Sequence, residues 1–316
     1  LLAADVLVES FRPGTLARFG LAPADLRRRY PRLVICSVTG WGQEGPHAHR
    51  AGHDLGYQAL AGALAGSPHM PATQTADVVG AWSAAAAVLA ALLRRHRTGR
   101  GAWIDQALLD AAGHAAVTGW AAEAAVPREV GEPLLLTGAV PCYDLYRTRD
   151  DGWLAVAALE PRFWQKLCRA LGRKDLIFKQ YARDAGVRRQ VAALMAERTR
   201  AEWAQFMAEH DVPAEPVLSL SEALAHPQVR HRELVRPGED ELPRLGYPAL
   251  IDGERPRGGA RFPELGEHTE ALVREFGLAR QLSRGRRRFA GIGRRFSVKR
   301  WLLRFAGRVV DASQRR

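Results

Sequence analysis

Three short apolar runs, separated by turn residues and one long alanine-rich stretch, constrain this chain most. Val6-Leu7-Val8-Glu9 leads into the turn Ser10-Phe11-Arg12-Pro13-Gly14, and Leu33-Val34-Ile35-Cys36-Ser37-Val38 is closed by Thr39-Gly40-Trp41-Gly42-Gln43. Trp103-Ile104-Asp105 is the third. Such runs, bounded by Gly and Pro, read as buried strands. Residues 78–95 are dominated by Ala, Val and Leu and end in Arg94-Arg95-His96-Arg97 with Gly99 beyond, which predicts a buried helix with a C-terminal glycine cap. Strand, helix and strand in succession predict an α/β layer. A further helix is expected over 106–124, and no apolar run is expected to approach bilayer length.

From Tyr143 the pattern changes. Tyr143–Thr148 and Trp153–Ala157, separated by Arg149-Asp150-Asp151-Gly152, predict a β-hairpin. Helices are expected near 161–171, 187–197 and 200–210, the last capped by Thr199. The reading is therefore a large domain over 1–125, a linker over 126–142 around Pro127, Gly131, Pro133 and Pro141, and a small domain over 143–235. A second linker at 236–279 returns to the large domain, and 280–316 is a basic tail. Leu1 is not Met and falls in an apolar run, so the chain is expected to start partway through a domain.

At 316 residues, 47% hydrophobic and 25% charged, the chain has the composition of a globular protein. Its net charge of +12 suggests nucleic-acid binding until it is located: residues 280–316 hold 13 Lys/Arg and one Asp, leaving 33 basic and 33 acidic residues before them. Cys36, Cys142 and Cys168 lack the number and spacing of a disulfide framework or a zinc knuckle, which fits a reducing cytoplasmic setting.

Candidate chemistry gathers on few residues. His47, His49, His53 and Asp54 first suggest a metal, but their loop spacing is not a usual ligand pattern, and no metal is expected. At His53, Gly52 lets backbone approach a ligand while Asp54 and Tyr57 place polar groups beside it; the plainer reading is a partly buried histidine with one hydrogen bond. Asp77, before an apolar helix, reads as an N-cap or as an acid-base group beside free N–H groups suited to an oxyanion. Glu160 before Pro161 reads as a helix-start carboxylate, or as a buried group fixing the His53 tautomer.

Ala4–Gly14, Thr39–Pro46, Ala51-Gly52-His53-Asp54 and Arg97-Thr98-Gly99-Arg100-Gly101 resemble, in order and spacing, the family III CoA-transferases (CaiB/BaiF-like), over about residues 4–278. The Gly-His-Asp loop and the Ala158-Leu159-Glu160-Pro161 stretch resemble the family's acyl-CoA racemase branch. The resemblance implies His53 and Asp77 as an acid-base pair supported by Glu160, with CoA along Arg12, Arg18, Gly52, His53, Asp54 and Tyr57. It implies a Rossmann-like large domain lacking its N-terminal part, plus a smaller α+β domain. It further implies an interlocked homodimer in which Glu160 acts on the partner's site, and no cofactor beyond coenzyme A as part of the substrate. The implied reaction is α-proton transfer on a 2-methylacyl-CoA. The rival reading passes CoA between carboxylic acids through an Asp77 anhydride, and a third is a truncated, non-catalytic CoA-binding homologue. Ala102 departs from the family pattern where Gln is usual, as do Val140 and Ala157 where Gly is common.

Outside the resemblance, residues 286–310 combine Arg and Lys with Phe289, Phe296, Trp301 and Phe305 at near-helical spacing. That pattern fits an anionic membrane surface or a solvated extension, and no reading motif points to specific nucleic acid.

Overall fold

In the computed structural model, which describes residues 4–237, 243–256, 263, 264 and 266–277, the three apolar runs form one parallel sheet. Strands β1 (Val6–Glu9), β2 (Val34–Thr39) and β3 (Trp103–Ala107) lie in that order, with Val6 opposite Val34 and Ile35 opposite Trp103. Helices α1 (Thr15–Arg18) and α2 (Pro23–Arg29) connect the first two strands. Leu26, Leu33 and Ile35 are buried together beneath Leu7, Leu21 and Tyr30.

Parallel neighbours need a crossover, and helices α3 (Asp54–Leu60) and α4 (Thr75–Thr98) supply it between β2 and β3. By length and composition α4 could cross a membrane, an 18-residue stretch of it reaching a mean hydropathy of 1.8. This corrects the expectation that no apolar run nears that length. Here α4 packs on β2, β3 and α5 (Leu108–Ala115). The contact with α5 is close enough that a Cβ on Gly80 would collide with Leu108. Gly99, at φ 68°, closes α4 in the left-handed conformation expected of it.

The single helix expected over 106–124 is two, α5 and α6 (Val117–Ala125), broken at Ala116. The break brings the Trp120 ring to 3.2 Å from where a Cβ on Gly113 would sit, and its Nε1 donates to the Ala61 carbonyl at 2.8 Å. The break falls beside Val117-Thr118-Gly119, weaker helix formers than the alanines around them, so local propensity yields there to the packing of Trp120.

A second, antiparallel sheet holds the predicted hairpin, β4 (Tyr143–Arg147) and β5 (Trp153–Ala157), with β6 (Ala214–Pro216) on its far side. Helices α7 (Pro161–Ala170), α8 (Ala185–Met195) and α9 (Arg200–His210) cover it. Trp164 and Trp203 are fully buried, and each indole N–H has a carbonyl partner, Leu176 at 2.9 Å and Met195 at 2.8 Å. Thr199 and Glu202 close a capping box on α9.

By compactness the chain divides into Leu1–Val217 and Leu218–Arg316. The second unit contains α10 (Leu220–Ala225), α11 (Pro227–His231), the antiparallel pair β7 (Val235–Pro237) and β8 (Pro243–Leu245), and α12 (Thr269–Glu275). The basic tail, including 286–310, lies outside the described residues.

Candidate active site

Parallel topology brings the turns after β1 and β2 to one edge of the sheet, where α4 begins. The Arg12-Pro13-Gly14 turn leaves β1 there, with Gly14 at φ 78°. Arg12 and Arg18 are exposed. The loop leaving β2 is tied to β3 because the Asp105 carboxylate accepts the Gln43 N–H at 3.0 Å. Within this loop Thr39 Oγ1, Trp41 Nε1 and Gln43 Nε2 are buried with no hydrogen-bond partner among the described residues. Ligands of open parallel sheets bind beyond the carboxyl ends of the strands.

Trp41 meets Tyr57 edge-on at 4.7 Å and His47 at 5.3 Å. Gly52 serves this packing: a Cβ there would sit 2.7 Å from Tyr57 Cε1 and 2.8 Å from Trp41 Cζ2. Tyr57 is therefore a buried wall of the site. Its hydroxyl pKa is raised by burial, with Asp77 and Asp54 adding to it.

His53 is the N-cap of α3, extended at φ −141° and ψ 167°, with an exposed ring. Asp54 follows at 7% exposure. Its Oδ1 accepts the backbone N–H of Asp77 at 3.1 Å and its Oδ2 accepts Gln58 Nε2 at 2.6 Å. Gln58, absent from the sequence-based set, was detectable only as the i+4 neighbour of Asp54 on a helix.

Asp77 is not the N-cap that the sequence suggests. That place is held by Gln74, and Asp77 is the third residue of α4 with its side chain exposed. Capping passes to the buried Asp54, which satisfies an N–H of the first turn. The Asp77 carboxyl is raised from its ordinary value by partial desolvation, then by the Asp54 charge, while His53 lowers it. Its burial is partial, so solvent moderates each effect.

Asp77 also lines an apolar cavity of about 500 Å³ with Val8, Val38, Ala81, Ala85 and Val88. Positions 77, 81, 85 and 88 share one face of α4. Cys36 lines it too, its thiol pKa raised by burial and by Glu9, the opposite of an activated thiolate.

Glu160 is the N-cap of α7, with Pro161 following as predicted. It is exposed and its side chain makes no cap bond, which corrects the reading of it as a buried group. Among the described residues no hydrogen bond joins it to His53. His47 is engaged by Arg50 Nη1 at 2.6 Å rather than gathered with His49 and His53, and no three His, Cys, Asp or Glu of the described residues form a metal-holding group.

Comparison with known proteins gives this geometry a context. The model of CoA-transferase family III matches residues 1–269. Human α-methylacyl-CoA racemase is 32% identical over 292 residues, covering 88% of this chain and 76% of the relative. Mouse succinyl-CoA:glutarate CoA-transferase is 30% identical over 292 residues, covering 86% and 66%. The crystal structure of a CAIB/BAIF family protein from Brucella suis superposes with a TM-score of 0.74 at 26% identity, covering 86% of this chain and 75% of that one.

Proposed function

Because the chain belongs to CoA-transferase family III and is an enzyme of racemase or CoA-transferase type, we propose that it moves the α-proton of a 2-methylacyl-CoA between the two faces of the α-carbon. The observation that carries this reading is the link from His53 through Asp54 to the backbone of Asp77, which holds two proton-carrying side chains within electrostatic reach of each other.

In one direction neutral His53 takes the α-proton and becomes imidazolium, the thioester becomes an enolate, and protonated Asp77 delivers its proton to the opposite face. The raised carboxyl of Asp77 favours that protonated form. The opposite epimer reverses the roles, and exchange with solvent resets the pair. Since Asp54 occupies the Asp77 N–H and Ala76 is fully buried, the half-buried Thr75 supplies the first-turn N–H left for the enolate oxygen. Arg12 and Arg18 are assigned to the CoA phosphates, and the apolar cavity to the acyl chain. In a homodimer the exposed Glu160 would support His53 of the other chain.

The second reading uses Asp77 as a nucleophile: its carboxylate attacks the thioester, CoA departs as the thiolate, and an acyl-aspartyl anhydride remains. Relatives named as CoA-transferases match at similar identity, so the experiment separates the two. A 2-methylacyl-CoA is incubated in heavy water with and without a free acid acceptor. Deuterium at the α-carbon, lost in His53→Ala, supports the racemase; CoA transfer without α-exchange rejects it.

A further inference from the structure

The opposite edge of the parallel sheet carries a second cleft. Residues 24–32 and 94–101 hold eight arginines against one carboxylate, Asp25, although residues before the tail are balanced overall. The fold joins these segments: the Gly101 N–H donates to the Pro31 carbonyl at 2.8 Å, and Arg95 Nη1 donates to the Arg32 carbonyl at 3.1 Å. A side chain at Gly101 would collide with the Leu33 carbonyl, so the close approach depends on glycine.

Between the segments lies a cleft of about 680 Å³ lined by Arg27, Arg28, Arg94 and Arg100, with Ala24, Pro31, Thr98 and Gly101 and no acidic side chain. Arginines at the ends of α2 and α4 have an ordinary role, since cations suit helix C-termini. That role covers Arg27 and Arg28 in the last turn of α2; Arg28 is also paired with Asp25, and Arg94 donates to the Gly101 carbonyl at 2.9 Å. It does not cover Arg100, which lies beyond the helix. Among the described residues the guanidinium groups of Arg27 and Arg100 have no hydrogen-bond or ion-pair partner. Several like charges around one concavity repel each other unless an anion joins them. The volume is that of a small-molecule site, not of a flat macromolecular contact.

We propose that this cleft binds a soluble ligand bearing two or three linked phosphates, of the size of a nucleotide. It is separate from the proposed proton pair, because Asp77 and Arg94 lie on one helix, about 25 Å apart at 1.5 Å per residue.

The test is calorimetric titration of the full chain with inorganic tripolyphosphate at ~0.15 M salt, with acetyl-CoA present in excess to occupy any CoA site. The expected result is about one ion per chain, with binding weakened roughly tenfold or more in Arg27→Gln/Arg100→Gln. Binding should be unchanged in Arg286→Gln/Arg287→Gln of the tail. Circular dichroism of both variants reports retention of the fold. Equal affinity in the cleft variant, loss in the tail variant, or displacement by acetyl-CoA would each overturn the proposal. A parallel arm uses phosphatidylserine vesicles; vesicle binding that depends on Arg27 and Arg100 without tripolyphosphate binding would make the ligand a lipid headgroup and also overturn it.

Discussion

The buried carboxylate of Asp54 accepts the backbone N–H of Asp77 at 3.1 Å, so the residue beside one proposed proton carrier builds the helix start that presents the other. The same carboxylate raises the Asp77 pKa by its charge. In Asp54→Asn an acceptor remains but the charge is gone. The Asp77 pKa is therefore expected to fall, moving its limb of the pH–rate profile for α-exchange to lower pH. Asp54→Ala leaves the N–H and the Gln58 amide without their acceptor, at a cost of about 2 kcal/mol measurable by urea unfolding.

A raised carboxyl also has a consequence for stability. The folded state holds the Asp77 proton to higher pH than the unfolded state, whose value is near 3.8, so this residue's contribution falls as pH rises from there through the raised value. Subtracting the unfolding free energies of wild type and Asp77→Asn across pH isolates that contribution. The difference is expected to move in favour of Asp77→Asn with rising pH, by less than ~1 kcal/mol because the side chain is exposed. No movement, or the opposite sign, would mean the carboxyl is not raised.

Gly52→Ala tests the wall behind His53. The added Cβ meets ring atoms of Tyr57 and Trp41 at 2.7 and 2.8 Å, and neither ring is free to swing, because each packs edge-on against the other. Overpacking of this kind costs about 1–3 kcal/mol. The expected outcome is a lower unfolding midpoint together with reduced α-exchange, since the strained residue adjoins His53.

The parallel sheet was legible because β-branched runs bounded by glycine leave few alternatives, and Thr199 was legible because a capping box lies within four residues. The packing of Tyr57 and Trp41 against Gly52 was not, because a glycine needed for ring packing looks in sequence like one needed for a ligand. Asp77 was misread by three positions for a related reason: its helix is capped by a carboxylate 23 residues away, and long-range capping leaves no local signal. The strand β6 was missed because three residues ending in proline carry too little pattern. Glu160 was placed correctly at a helix start, but burial cannot be read from a position that proline alone explains.

The cavity below Asp77 yields the last prediction. Ala81, Ala85 and Val88 are small or short residues on the Asp77 face of α4, and they leave about 500 Å³ of apolar space where larger side chains would fill it. If that space takes the acyl chain, a long 2-methylacyl group gains burial there that a short one does not. Ala85→Phe fills part of the cavity without adding charge or touching the Asp54 link. Removing about two buried methylene groups forfeits about 1.6 kcal/mol, a factor of about ten to twenty. The kcat/KM for a long 2-methylacyl-CoA is therefore expected to fall by roughly tenfold, while that for 2-methylbutanoyl-CoA stays nearly unchanged. Equal losses on both substrates would place the acyl chain elsewhere and return the cavity to a packing feature of α4.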